Sequence, residues 1–271
     1  MQDVLPDGRL HYRAVEHSVV EHCNLTCDGC DHGSPLLRKK FANPRDFARS
    51  VSQLARVMFV DRLKLLGGEP LLHPEIGEFA RIARESGIAR EVQIWSNGTS
   101  LDRINYSIFA YVDRLVISRY PSVAIPVGEE DLRSKLEPYK CALAVREIAE
   151  FIRCYPLAPH QDNQQIAEIF RSCKNTGEWS CHSFQDGYYF KCSRAHFLRY
   201  RAFGDGQGND VYKDGVRLDD PDLRRTLASY LASTVPLGAC AWCLGTSGES
   251  YPHRLSPRQP ARSLRELALR H

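Results

Sequence analysis

The chain has 271 residues, 43% hydrophobic and 25% charged, with a formal net charge of +3. These values are ordinary for a globular domain, and no apolar run approaches the roughly 20 residues of a membrane-spanning helix. The small, dispersed positive charge lacks the clustered basic face that nucleic-acid binding needs, and the opening MQDVLPDGRLHYR lacks the apolar core of a signal peptide, so the expectation is a cytoplasmic protein with neither membrane nor nucleic acid as partner.

Val15 to Glu21 is rich in β-branched residues and predicts a first strand. A cysteine-bearing loop follows, and Arg38-Lys39-Lys40 after it reads as solvated loop. Asn43-Pro44-Arg45-Asp46 carries a cap, a proline and a first-turn acid, and starts a helix continued by Phe47, Val51, Leu54, Ala55 and Met58. Arg62 to Leu66 predicts a second strand running into Gly67-Gly68. A helix from Pro74 closes at Gly87, and Glu91 to Ser96 predicts a third strand ending in Asn97-Gly98. Leu101 to Tyr111 predicts helix, Asp113 to Ser118 a fourth strand, Glu129 to Leu143 helix, and Ala144 to Ile152 a fifth strand. Strict alternation of strand and helix implies parallel strands with right-handed crossovers. Eight such units need about 250 residues, so a partial barrel of five or six units, or an open α/β sheet, is expected.

The pattern changes after Pro156. Gln164 to Arg171 predicts helix, and Trp179 to Phe184 with Tyr188 to Cys192 predicts a hairpin turning at Asp186-Gly187. A loop from Gly204 to Gly215, a helix from Leu223 to Ser233 and the pair Cys240–Cys243 complete a small C-terminal α+β module. The expected division is 1–156 for the barrel, 157–255 for the module and 256–271 for a tail.

Ten cysteines are many for a reducing compartment, where clustered thiols are more often metal ligands than disulfides. Cys23, Cys27 and Cys30 form a C-x3-C-x2-C run on the loop after the first strand. Three thiolates on one loop suit iron–sulfur ligation, and the missing fourth ligand leaves one iron open. The alternative is structural zinc with a fourth ligand such as His32. With Gly67-Gly68-Glu69-Pro70 at the end of the next strand, the run resembles the radical S-adenosylmethionine (radical SAM) superfamily. The resemblance covers about the first 150 residues. It implies a partial (β/α)6 barrel, a [4Fe-4S] cluster on Cys23, Cys27 and Cys30, and S-adenosylmethionine on the open iron. It also implies that Gly67, Gly68, Glu69 and Pro70 meet the methionine amine, that Ser96 and Asn97 contact ribose, and that Ser118 and Arg119 meet the ribose and cofactor carboxylate. The alternative for Ser96-Asn97-Gly98 is a plain turn, which Asn-Gly favours. One departure stands out: the family carries an aromatic residue before the third cysteine, and here the position is Gly29.

Cys173, Gly187 and Cys192 at C-x13-G-x4-C spacing, followed by Cys240 and Cys243, resemble the twitch or SPASM-type extension, which implies a second, auxiliary [4Fe-4S] cluster. Four thiolates also suit zinc. Cys141 and Cys154 read as packing residues. Cys181 reads the same way on composition, but its place inside the module also makes it a candidate to compete with Cys173 as ligand or to donate a hydrogen atom to a product radical.

The resemblance extends to radical dehydrogenases and epimerases of aminoglycoside and sugar-antibiotic biosynthesis. It implies hydrogen abstraction from a carbinol carbon of a small polar substrate, with a flavodoxin or ferredoxin-type electron donor. Asp28, Asp31, His32, Arg146, Glu147, Glu150 and Arg153 are polar candidates near strand ends. A peptide-modifying maturase is the second reading, disfavoured because the first strand begins near residue 15. A non-enzymatic zinc or electron-transfer module is the third, opposed by the Gly67-Gly68-Glu69-Pro70 motif.

Overall fold

Strands β2 (Leu10–Val20), β3 (Met58–Gly67), β4 (Ala89–Ser96), β5 (Arg114–Arg119) and β6 (Ala142–Glu147) pair in sequence order, all parallel. They belong to a computed structural model that describes residues 3–37, 39–156, 158–202 and 213–257. Helices α1 (Pro44–Ala55), α2 (Ile76–Glu85) and α3 (Glu129–Leu136) form crossovers, so the fold is the expected α/β partial barrel. Asn43 caps α1 by accepting from the Arg45 amide at 2.8 Å, with Pro44 in the first turn.

A sixth parallel strand comes from the C-terminal half. Strand β8 (Ser183–Gln185) joins β2 through the Glu16–Ser183 pair, and β9 (Tyr188–Phe190) and β10 (Gly215–Arg217) extend the sheet antiparallel beyond it. The β8–β9 turn is Asp186-Gly187, both at positive φ (50° and 80°), the twist-matched geometry of a tight hairpin. The hairpin thus continues the barrel sheet across the expected boundary at residue 156. Helix α4 (Asn163–Ser172) precedes it, and α5 (Ser193–Ala202) and α6 (Leu223–Ala232) follow. The short β1 (Asp3–Val4) pairs with β2, and β7 (Glu150–Ile152) pairs with β11 (Ser250–Pro252) as a separate ribbon.

Several boundaries differ from the sequence reading. The first strand starts at Leu10 rather than Val15. Predicted helix Leu101 to Tyr111 is a turn followed by a 3-10 helix over Tyr106–Tyr111, because the Asn105 side chain accepts from the Ser107 amide at 3.0 Å and restarts the helix there. Helix α3 stops at Leu136, short of the predicted Leu143, because Pro138 follows and Lys140 turns left-handed at φ 54°. The predicted fifth strand divides into β6 and β7. Helix α5 was absent from the sequence reading. Arg38, the 204–212 part of the predicted loop and the tail from 258 onward lie outside the described residues.

Alternation along the strands sorts the side chains into two faces. Val15, Val19, Leu63, Leu65, Val92 and Ile94 join the core beneath α1 and α2, where Phe47 and Phe79 are fully buried. His17 sits on this outer face, 4.6 Å from the Phe47 ring and 4.8 Å from that of Phe184, and its Nδ1 is 2.9 Å from the Phe184 carbonyl. Burial pushes His17 down to about 4, so it is neutral. The intervening positions, Glu16, Ser18, Lys64, Gln93 and Trp95, face the barrel interior.

Candidate active site

The Gly67-Gly68-Glu69-Pro70 segment is zipped onto the start of the cysteine loop. The Gly68 amide donates to the Val20 carbonyl at 2.8 Å, and the Glu69 amide to the His22 carbonyl at 3.2 Å. A side chain at either glycine is excluded. A Cβ on Gly67, at φ 145°, would stand 2.1 Å from the Val20 oxygen, and one on Gly68 would stand 1.9 Å from the His22 oxygen. The sequence Gly-Gly is therefore what allows strand end and cysteine loop to touch.

Glu69 is fully buried. Its carboxylate accepts from the Leu71 amide (3.0 Å), the Ser96 hydroxyl (2.7 Å) and the Asn97 amide (2.7 Å). Burial pushes its carboxyl up to about 7 against the pull of those donors. Asn97 also reaches the cysteine loop, its Nδ2 donating to Asn24 Oδ1 at 2.9 Å and lying 3.6 Å from Cys23 Sγ. Gly98 turns at φ 77°, so Asn97-Gly98 is a turn and part of the site at once. The Ser96 hydroxyl is committed to Glu69. Ser118 approaches the cysteines through Tyr120, whose hydroxyl is raised by burial and then by the nearby Cys27 and Cys30. Arg119 is not brought in. It points to the opposite face and pairs with Glu147 (2.9 Å) and Glu129 of α3 (3.3 Å).

The chain returns to cover the cysteine loop near the end of the described residues. The Asp28 amide donates to the Arg254 carbonyl at 3.0 Å, the Ser256 amide donates to the Thr26 carbonyl at 2.8 Å, and Arg254 pairs with Asp28 at 2.7 Å. Gly29, at φ 63°, leaves room for Tyr251, whose hydroxyl oxygen would be 1.8 Å from a Cβ there. Tyr251 thus fills the space that a side chain at position 29 would take. His253, buried, sets its Nε2 3.2 Å from Cys27 Sγ. The sequence reading placed residues up to 255 in the C-terminal module and missed this strap; no local motif marks it.

Inside the barrel, Lys64 Nζ pairs with Glu16 Oε1 at 2.7 Å, both buried. Lys64 and Arg146 each lie over the Trp95 ring, at 5.0 and 5.2 Å, and Trp95 Nε1 donates to Gln93 at 2.8 Å. Alternating polar residues in VEHSVV and RLKLL signalled this lining, since a strand buried on both faces in a parallel sheet ordinarily reads as continuously apolar.

The second cysteine set surrounds one pocket. Cys173, Cys192, Cys240 and Cys243 line it with Phe170 and Leu237; Cys181 does not. The Gly245 amide donates to Cys243 Sγ at 3.3 Å. The Ser193 amide, next to Cys192, donates to the Cys181 carbonyl at 2.8 Å, and the Glu16 amide donates to the neighbouring His182 carbonyl at 2.7 Å, so half-buried Cys181 stands between this pocket and the Glu16 strand; its thiol is raised by desolvation and then by Glu16. Arg194, buried at the start of α5, joins the two cysteine regions. It donates to the Gly245 carbonyl at 2.7 Å, approaches Cys243 Sγ at 3.8 Å, and pairs with Asp31 at 3.4 Å.

Of the remaining polar candidates, His32 pairs with Asp31 at 3.0 Å, while Glu147 and Glu150 are exposed. Arg153 lies 5.9 Å from the Tyr251 ring. Cys141 and Cys154 are buried, as packing residues are.

The donor chemistry fits iron–sulfur clusters at both places. Burial holds Cys23, Cys27 and Cys192 up to about 12, so each is a protonated thiol until a metal displaces the proton. Backbone N–H groups donate to sulfur at Cys23 (Leu25 amide, 3.4 Å) and Cys243 (Gly245 amide, 3.3 Å), the outer-sphere hydrogen bonding that suits thiolate ligands. Among the described residues, Cys30, Asp31 and His32 bring three potential metal-ligand atoms within 4.8 Å of one another.

Residues 18–127 match the family model described as the Radical SAM superfamily. Molybdenum cofactor biosynthesis protein 1 of Bos taurus is 30% identical over 96 residues, 35% of this chain and 15% of that protein. The GTP 3',8-cyclase of Chlorobaculum tepidum is 35% identical over 89 residues, 33% of this chain and 27% of that protein. The chain thus spans about a quarter or less of those relatives. The crystal structure of BtrN in complex with AdoMet and 2-DOIA aligns at a TM-score of 0.48 and 14% identity, covering 84% of this chain and 92% of that one. No helix among the described residues is long and apolar enough to cross a membrane.

Proposed function

Because this chain belongs to the radical SAM superfamily, we propose that it abstracts hydrogen from a carbinol carbon of a small polar substrate held in the barrel and returns hydrogen from Cys181, an epimerisation. Cys23, Cys27 and Cys30 hold the [4Fe-4S] cluster, and Glu69 takes the cofactor amine. The cluster with S-adenosylmethionine supplies the hydrogen-abstracting power. Cys173, Cys192, Cys240 and Cys243 hold the auxiliary cluster.

The observation that carries this reading is the half-buried Cys181 on the backbone segment that bonds both the Glu16 strand and Ser193, the residue after pocket-lining Cys192. Glu16, Lys64 and Gln93 offer donors and acceptors to hydroxyl or amine groups, and Trp95 offers a flat apolar face to a ring. Burial keeps Cys181 protonated, the form able to give a hydrogen atom. Its S–H bond breaks as the substrate C–H bond forms. One electron from a flavodoxin or ferredoxin-type donor and one solvent proton then restore the thiol.

Dehydrogenation is the second reading, favoured by the four-cysteine pocket as an electron acceptor site. The cyclase activity named for the Chlorobaculum tepidum relative is not adopted, since that match covers about a third of this chain.

Turnover in deuterium oxide separates the outcomes. Reconstituted enzyme is given S-adenosylmethionine, dithionite and a panel of sugars and aminocyclitols, with GTP and peptides alongside. Epimerisation yields an isomer carrying a new deuterium, lost in Cys181→Ser. A product lacking two hydrogens establishes dehydrogenation instead, and turnover of GTP or peptide alone overturns the proposal.

A further inference from the structure

We propose that His253 is a positioning residue for the cofactor cluster: its Nε2–H donates to Cys27 Sγ and raises the cluster's reduction potential. The inference rests on the reading of Cys27 as a cluster ligand and is independent of the substrate.

The contact spans 226 residues of sequence, at 3.2 Å in a buried setting. The backbone fixes it. Cys27 bridges Leu255, the Asp28 amide donates to the Arg254 carbonyl, and the His253 amide donates to the Ala149 carbonyl at 2.9 Å. The ring is held too. It stacks on Tyr120 at 4.5 Å and 20°, meets the Phe151 edge at 5.0 Å, and places Nδ1 3.3 Å from Ser122 Oγ.

These contacts select a tautomer. A thiolate only accepts hydrogen bonds, so the nitrogen facing it must carry the proton. Nε2 then donates to Cys27, and Nδ1 accepts from the Ser122 hydroxyl. Reduction adds negative charge to the cluster and its sulfurs, so a donor aimed at a ligand sulfur stabilises the reduced state more than the oxidised one. Hydrogen bonds to ligand sulfur are among the factors that set a cluster's potential. A histidine needed only to fill space would leave the potential unmoved.

The test is a redox titration followed by electron paramagnetic resonance, on reconstituted full-length wild type, His253→Ala, His253→Gln and Ser122→Ala. The signal followed is the one that changes when S-adenosylmethionine is added, which separates this cluster from the auxiliary one. Expected is a more negative midpoint in His253→Ala at wild-type iron content. His253→Gln, which keeps an N–H donor, recovers part of the shift. Ser122→Ala, which frees the tautomer without touching Cys27, shifts in the same direction by less. Where His253→Ala loads poorly, the other two variants decide. Midpoints equal to wild type in loaded variants overturn the proposal. A wild type with no S-adenosylmethionine-responsive cluster overturns instead the assignment of Cys27 as ligand, and the proposal with it.

Discussion

The Ser96 hydroxyl donates to Glu69 Oε1 at 2.7 Å, tying the end of β4 to the end of β3 at the place where the cysteine loop begins. This bond and two backbone amides orient a carboxylate that burial holds at about 7. An ammonium group favours the ionised form, so cofactor affinity is expected to rise with pH through about 7. Glu69→Gln is expected to lose roughly 10- to 100-fold in S-adenosylmethionine affinity, from a charge-assisted bond worth about 1.5–3 kcal/mol, and to lose the pH dependence. Equilibrium binding at pH 6 to pH 8 checks both.

Gly67→Ala and Gly68→Ala each force a methyl group into backbone oxygen. Each is expected to destabilise by about 1–3 kcal/mol or more and to lower iron loading of the Cys23 loop. Gly177→Ala, with open space at its Cβ, is the control and is expected to behave as wild type. Thermal melts and iron content of the reconstituted variants measure the difference.

Acid is expected to unfold the protein through His17 and His182, both held down to about 4 by burial. Their folded values lie below the unfolded one, so the stability they contribute is present above about pH 6.5 and is lost as pH falls toward 4. Each accounts for about 3 kcal/mol when the loss is complete. Glu69 acts oppositely: its raised value favours the folded state as it protonates, one group against two. Melting temperature is expected to fall between pH 7 and pH 4.5, less steeply in His17→Gln, which protonates in neither state.

Arg194→Leu removes the donor to the Gly245 carbonyl and the link to Asp31. A buried carbonyl left unsatisfied costs about 1–3 kcal/mol. Retention of the auxiliary iron under a chelator is expected to weaken, with Arg194→Lys intermediate because it keeps charge but not the forked geometry.

The strand order through β6 and both cysteine sets were legible because their signals are local: alternation of strand and helix, and ligand spacing. Spacing favoured Cys173 over Cys181 as the partner of Gly187 and Cys192, and in the fold Cys173, not Cys181, lines the pocket. Arg119 was misread because sequence gives its position at a strand end but not its side, and the pleat turns it toward α3. His253 and Tyr251 were illegible because long-range pairing brings them to Cys27 and Gly29, and nothing local announces it. The hairpin β8–β9 was read correctly as a hairpin, but its docking against β2 depends on a free sheet edge that sequence does not display.

The most direct test of the account is anaerobic reconstitution with iron and sulfide of wild type and of the triple variant Cys23→Ala, Cys27→Ala, Cys30→Ala. Iron is counted, and 5′-deoxyadenosine is assayed after addition of dithionite and S-adenosylmethionine. About eight irons are expected in wild type and about four in the variant, with nucleoside formed by wild type alone. Zinc without iron, or a fully loaded wild type that forms no nucleoside, would contradict it.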